Sequence, residues 1–156
     1  VSSLLPIVNS YVVYFDPQNI TLLPGESRIL NQISREIAQY NPRQVTITSY
    51  ADIVMTSNSG QQFTDSRVQI ALLALQAFGV NIQDPNQISP NNTGLVKQLS
   101  NIAQRQEETV AKELLKRNIS TQIVQSSLRG PLEKDLMSQD SFGVEETQMV
   151  VIDFRK

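Results

Sequence analysis

Asp52 and Arg67 are the residues best placed by type and spacing to do chemistry together, standing fifteen positions apart. Asp52 closes the run Val45-Thr46-Ile47-Thr48-Ser49-Tyr50-Ala51-Asp52, which reads as a strand that stops on a carboxylate. Arg67 lies in Phe63-Thr64-Asp65-Ser66-Arg67-Val68, which reads as a helix start with a guanidinium in its first turn. A polar loop, residues 53–62, joins the two. If that loop folds back, one negative and one positive group face each other at a helix N-terminus. Such a pair suits a zwitterionic head group: the helix end and the Arg take a carboxylate, and the Asp takes an ammonium. The plainer alternative is a surface ion pair, worth about 0–1 kcal/mol.

Composition narrows the field. The 156 residues favour one domain with a real core. Hydrophobic content of 40% and charged content of 18% are globular values. A net charge of −2, with no Lys/Arg run, argues against nucleic acid as a partner. Cys and His are both absent, which excludes thiolate and imidazole catalysis, disulfides and nearly all zinc sites. The sequence contains no nucleophile elbow, phosphate loop or dinucleotide fingerprint, so no enzyme and no cofactor is expected. Glu107-Glu108 and Glu145-Glu146 read as solvated faces rather than metal ligands. No apolar run reaches the roughly 20 residues of a spanning helix. The chain starts at Val1, so an upstream signal, anchor or linker is expected to have been removed.

These residues need a scaffold, and the sequence spells one out. Residues 1–10 read as a linker or edge segment. Tyr11 to Phe15 is a strand, and Asp16-Pro17-Gln18-Asn19 a turn. Pro24 and Gly25 precede a helix with Glu26 in its first turn and an apolar stripe of Ile29, Leu30, Ile33 and Ile37; Asn41-Pro42 stops it. Val45, Ile47 and Ser49 alternate with Thr46, Thr48 and Tyr50, the pattern of a half-buried strand. Thr64 is a suitable N-cap, the next helix carries Val68, Ala71, Leu72, Leu75 and Phe78, and Gly79 is a C′ stop. Residues 81–94, rich in Asn, Gln and Pro, are a loop. Leu95 to Arg117 is a long helix whose stripe of Leu95, Leu99, Ile102, Val110 and Leu114 is interrupted by Gln106. Ile119 to Val124 and Gln148 to Phe154 are strands, with an irregular stretch around Gly130-Pro131 between them.

Taken together, Tyr14-Phe15-Asp16 with Ile20 to Pro24, Ser49-Tyr50-Ala51-Asp52, Phe63 to Val68 and Gly79-Val80 resemble the OmpA-like peptidoglycan-binding family, which includes Pal-type lipoproteins and flagellar stator proteins. The first matches the family's strand "YFDxxxxxL", the second its "GHTD", the third "LSxxRA" at the second helix, and the fourth the "GV" that closes that helix. The resemblance covers residues 11–80 well and 119–156 loosely. It departs where Ser49 and Tyr50 replace Gly and His, where Gly60 replaces the Asn of "NxxLS", and where Gln148 and Met149 replace an Arg pair.

The resemblance implies an α+β fold, a two-layer β-α-β-α-(α insertion)-β-β sandwich with a mixed four-stranded sheet. In these terms residues 11–156 form the domain and 81–118 an insertion. It also implies binding of peptidoglycan in the periplasm: Arg67 takes a carboxylate of diaminopimelate, Asp52 its amine, and the amides of the helix start near Thr64 assist. Asp16 stands where some members place a further contact, although an Asp before Pro also simply makes a turn. Tyr50 reads as a half-exposed strand aromatic or a rim contact. The resemblance further suggests an outer-membrane tether through an upstream lipoprotein anchor in a Gram-negative bacterium. The alternative is a scaffold of a type IVB-like secretion complex with a weakened or lost site. The stripe of Leu95 to Arg117 reads first as core packing against the protein's own sheet, and more sharply as a helix that meets an envelope partner.

Overall fold

The computed structural model describes residues 4–16, 19–51, 72–84, 87, 91–124 and 148–156. It is an α+β fold built on one mixed four-stranded sheet: β1 (Ile7–Phe15), β2 (Gln44–Ala51), β3 (Gln122–Ile123) and β4 (Gln148–Arg155), in the order β1-β4-β2-β3. The last strand lies between the first two and runs antiparallel to both, so β1 and β2 are parallel to each other. β3 pairs parallel with β2. Two helices, α1 (Ser27–Tyr40) and α2 (Thr93–Leu115), supply core residues that cover one face.

The period-2 pattern decides which side chains meet them. Tyr11, Val13 and Phe15 of β1, Val150, Ile152 and Phe154 of β4, and Val45 and Ile47 of β2 form one apolar face. Leu30 and Ile33 of α1 and Val110 and Leu114 of α2 close over it. Each such buried side chain contributes about 1.5–3 kcal/mol. Phe154 sits edge-on between Tyr11 and Tyr40, with ring centroids 5.1 and 5.9 Å away.

Several expectations change in detail. β1 begins at Ile7, not Tyr11, because pairing with β4 continues to Arg155 through an irregularity between Ile7 and Asn9. Ile7 and Val8 are exposed there, so no alternation marked that part. β2 is not half-buried: Val45 to Ser49 are all buried, because the strand lies inside the sheet between β4 and β3. On its other face Thr46 accepts from Arg155 Nε at 2.9 Å, and Asp153 accepts from Ser10 Oγ at 2.5 Å. β3 is only two residues long. Ile119, expected as its start, instead follows the left-handed Asn118 (φ 63°) at the end of α2. Ile119 N donates to Leu114 O and Asn118 N to Leu115 O, which satisfies the last carbonyls of the helix and buries Ile119 in the core.

Gly79 makes the same kind of stop for the helical residues 72–76: at φ 84° its N–H donates to Gln76 O, and Val80 N to Leu75 O. Leu75 forms a second apolar cluster with Leu95 and Leu99. The stripe of α2 is therefore turned inward along its length, from Leu95 to Leu114. Those residues pack inside the protein, as the core reading of the Leu95–Arg117 stripe expects. No helix among the described residues is long and apolar enough to cross a membrane.

Candidate functional site

The parallel course of β1 and β2 sends both strands to the same edge of the sheet. Phe15 and Ala51 flank the same residue, Gln148, the first of β4. With neighbouring strands about 4.8 Å apart, the two strand ends lie about 10 Å from each other. Asp16 follows Phe15 and Asp52 follows Ala51 in the chain. The carboxyl ends of strands are where open α/β sheets offer a ligand crevice. Asp52, Thr64 and Arg67 themselves lie outside the described residues, as do the loop expected at 53–62 and the helix start expected at 63–68.

Asp16 and Tyr50 are described. Asp16 makes the expected turn, its carbonyl accepting from Asn19 N at 3.0 Å. Tyr50 lies opposite Met149, with Tyr14 on the far side of the same residue, on the face away from α1 and α2. It is half-buried, and burial first, then the Asp153 carboxylate, raises its phenol above the usual tyrosine range. The structure thus places Asp16 and Tyr50 at one edge of the sheet.

Beneath that edge lies a polar cluster that the sequence did not single out. Gln106 is fully buried; its Nε2 donates to Gln148 Oε1 at 2.8 Å and to Asn19 O at 2.9 Å. One turn on, Thr109 Oγ1 donates to Ile20 O at 3.0 Å. Glu107 is 5% exposed, which overturns its reading as part of a solvated face. Its Oε2 accepts from Ser49 Oγ at 3.1 Å, and the carboxylate also accepts from Ser49 N–H. Burial is the main cause that raises its carboxyl above the usual range; the Ser49 bonds oppose it and the neighbouring Glu108 adds to it. The spacing held the clue. Glu107 comes four residues after Ala103 and three before Val110, both on the buried stripe, and Gln106 was the polar break in that stripe.

The backbone explains why a carboxylate is there. Val124 N donates to Ile47 O, and among the described residues the pairing on that side of β2 ends with the two-residue β3. Ser49 points its amide to the same side two residues later, and Glu107 receives it. The opposite margin is treated alike: Tyr14 N, on the outer side of β1, donates to Glu26 Oε2 at 3.2 Å. Glu26 sits at the N-cap position of α1 without capping it, and burial raises its carboxyl too. Two helix-borne carboxylates therefore satisfy amides near the ends of β1 and β2 that no strand among the described residues reaches.

No family model matches the chain, and no curated protein matches it in sequence. Among solved structures, the crystal structure of a MotB-like protein from Desulfovibrio vulgaris is similar over 98% of this chain and 80% of that one, with 12% identity and a TM-score of 0.47.

Proposed function

We propose that this chain is a peptidoglycan-binding module of the OmpA-like kind, holding an envelope protein to the cell wall through diaminopimelate. The observation that carries the reading is the shared edge: β1 and β2 end on either side of Gln148. That topology supports a site in which the residues after the two strands, Asp16 and Asp52, act together with Arg67. The task is recognition of a zwitterion, not turnover. A carboxylate and a guanidinium each form charge-assisted hydrogen bonds with the opposite end of the ligand. Tyr50 suits a rim contact on the far face. The same reading places the module in the periplasm, tethered through a segment upstream, with a binding domain that starts with β1 at Ile7 rather than at residue 11.

The test is retention on isolated diaminopimelate-type sacculi. The wild-type chain is expected to sediment with them, and Asp52→Ala and Arg67→Ala to remain in the supernatant. Equal retention of both variants would rule out this site, and no retention of the wild type would leave a scaffold without wall affinity.

A further inference from the structure

The carboxyl edge is held by two consecutive side chains of one helix. Gln106 reaches the first residue of β4 and the turn that leaves β1. Glu107 reaches the end of β2. Thr109 adds a second hold on the β1 turn at Ile20. We propose that Gln106 and Glu107 are the positioning residues of this edge, fixing the ends of β1, β2 and β4 relative to one another and so setting the spacing of the groups that follow β1 and β2.

Three observations point this way rather than to generic core filling. First, both side chains are buried and polar at positions where an apolar stripe would otherwise continue. Desolvating them is unfavourable, so their hydrogen bonds must compensate. Second, Gln106 Oε1 has no hydrogen-bond partner among the described residues, so the two bonds its Nε2 donates to Gln148 and to the β1 turn are what hold this side chain. Third, the bonds of Glu107 go to a residue two positions before the end of β2, beyond the last β2 residue that pairs with β3 among the described residues. Tight binding needs a ligand's contacts held to a fraction of an ångström, and a supporting layer of this kind supplies that.

The ligand assigned to the edge rests on the wall-binding reading, so the test has two arms on the whole chain. The first needs no ligand: hydrogen exchange of backbone amides in Glu107→Gln, Glu107→Leu and Gln106→Leu. Glu107→Gln keeps an acceptor for Ser49 and is expected to match the wild type. The two Leu variants are expected to speed exchange by roughly tenfold at 49–51 or 19–21, the loss of about one hydrogen bond, while Val13, Ile47 and Ile152 stay protected. Exchange that is unchanged, or raised evenly over the sheet, overturns the proposal. The second arm is binding to diaminopimelate-type sacculi at a temperature where each variant is fully folded. Positioning predicts a loss of roughly tenfold in the Leu variants and recovery in Glu107→Gln; a purely structural role predicts no loss once folding is complete. If the wild type fails to bind, the wall-binding reading falls, and the exchange arm still decides the positioning claim.

Discussion

Leu114 and Leu115 are neighbours on α2 with opposite surroundings, and together they test whether this helix is core or a docking surface. Leu114 is 0% exposed, lies in the main core with Val110 and Ile119, and gives its carbonyl to Ile119 N. Leu115 is 62% exposed. Truncating a fully buried Leu removes its transfer free energy and leaves a cavity, so Leu114→Ala is expected to cost about 2–5 kcal/mol. Against a total stability of about 5–15 kcal/mol, that is a large fraction. At about 2–4 °C per kcal/mol for a chain of this size, a 3 kcal/mol loss lowers Tm by about 6–12 °C. Leu115→Ala is expected to change stability by no more than about 0.5 kcal/mol. Urea and thermal unfolding followed by circular dichroism measure both. Equal costs, or a Leu114→Ala cost below about 1 kcal/mol, would refute the placement of this stripe of α2 on the sheet.

Three other outcomes follow from the same structure. Because burial raises the Glu107 carboxyl above its ordinary 4.5 in the folded state, its contribution to stability is complete below pH 4.5 and is lost as pH rises through the elevated folded value; Glu107→Gln is therefore expected to gain on the wild type as pH rises above 4.5 in urea unfolding, and a constant difference would contradict this. Arg155→Met removes the 3.5 Å ion pair to Asp153 and the bond to Thr46, leaving Asp153 with Ser10, and is expected to cost about 3–5 kcal/mol, partly restored when Asp153→Asn is added, as judged from denaturation midpoints. Gly79→Ala meets open space but must hold φ 84°, so a loss of about 1–2 kcal/mol is expected in thermal unfolding.

How much of this was legible in the sequence depended on how local each signal is. α1 was readable because its stripe, from Ile29 to Ile37, and its stop at Asn41 lie within a few turns; Asn41 takes the left-handed conformation and its N–H closes on Ile37 O. Gly79 was readable for the same reason. β4 announced itself as a run of buried residues, and its place at the centre of the sheet explains why it lacks alternation. The burial of Thr46 and Thr48 was not legible, because it depends on neighbours far along the chain. The start of β1 was hidden because Ile7 and Val8 are apolar yet exposed. Glu107 was misread because an adjacent pair of carboxylates usually faces water. A buried one is useful beside Ser49, whose amide no strand among the described residues reaches. Within the candidate site, the turn at Asp16 and the half-buried Tyr50 followed from local rules, whereas the convergence of the two strand ends on Gln148 is a property of topology.

The most direct measurement compares retention of the wild-type chain on sacculi whose stem peptides carry diaminopimelate with retention on sacculi that carry lysine at the same position. Lysine keeps the amine for Asp52 but lacks the side-chain carboxylate for Arg67. Strong retention on the first and weak retention on the second, with Arg67→Ala reducing the first to the level of the second, is the predicted result. Equal retention of the wild type on both walls would contradict the account.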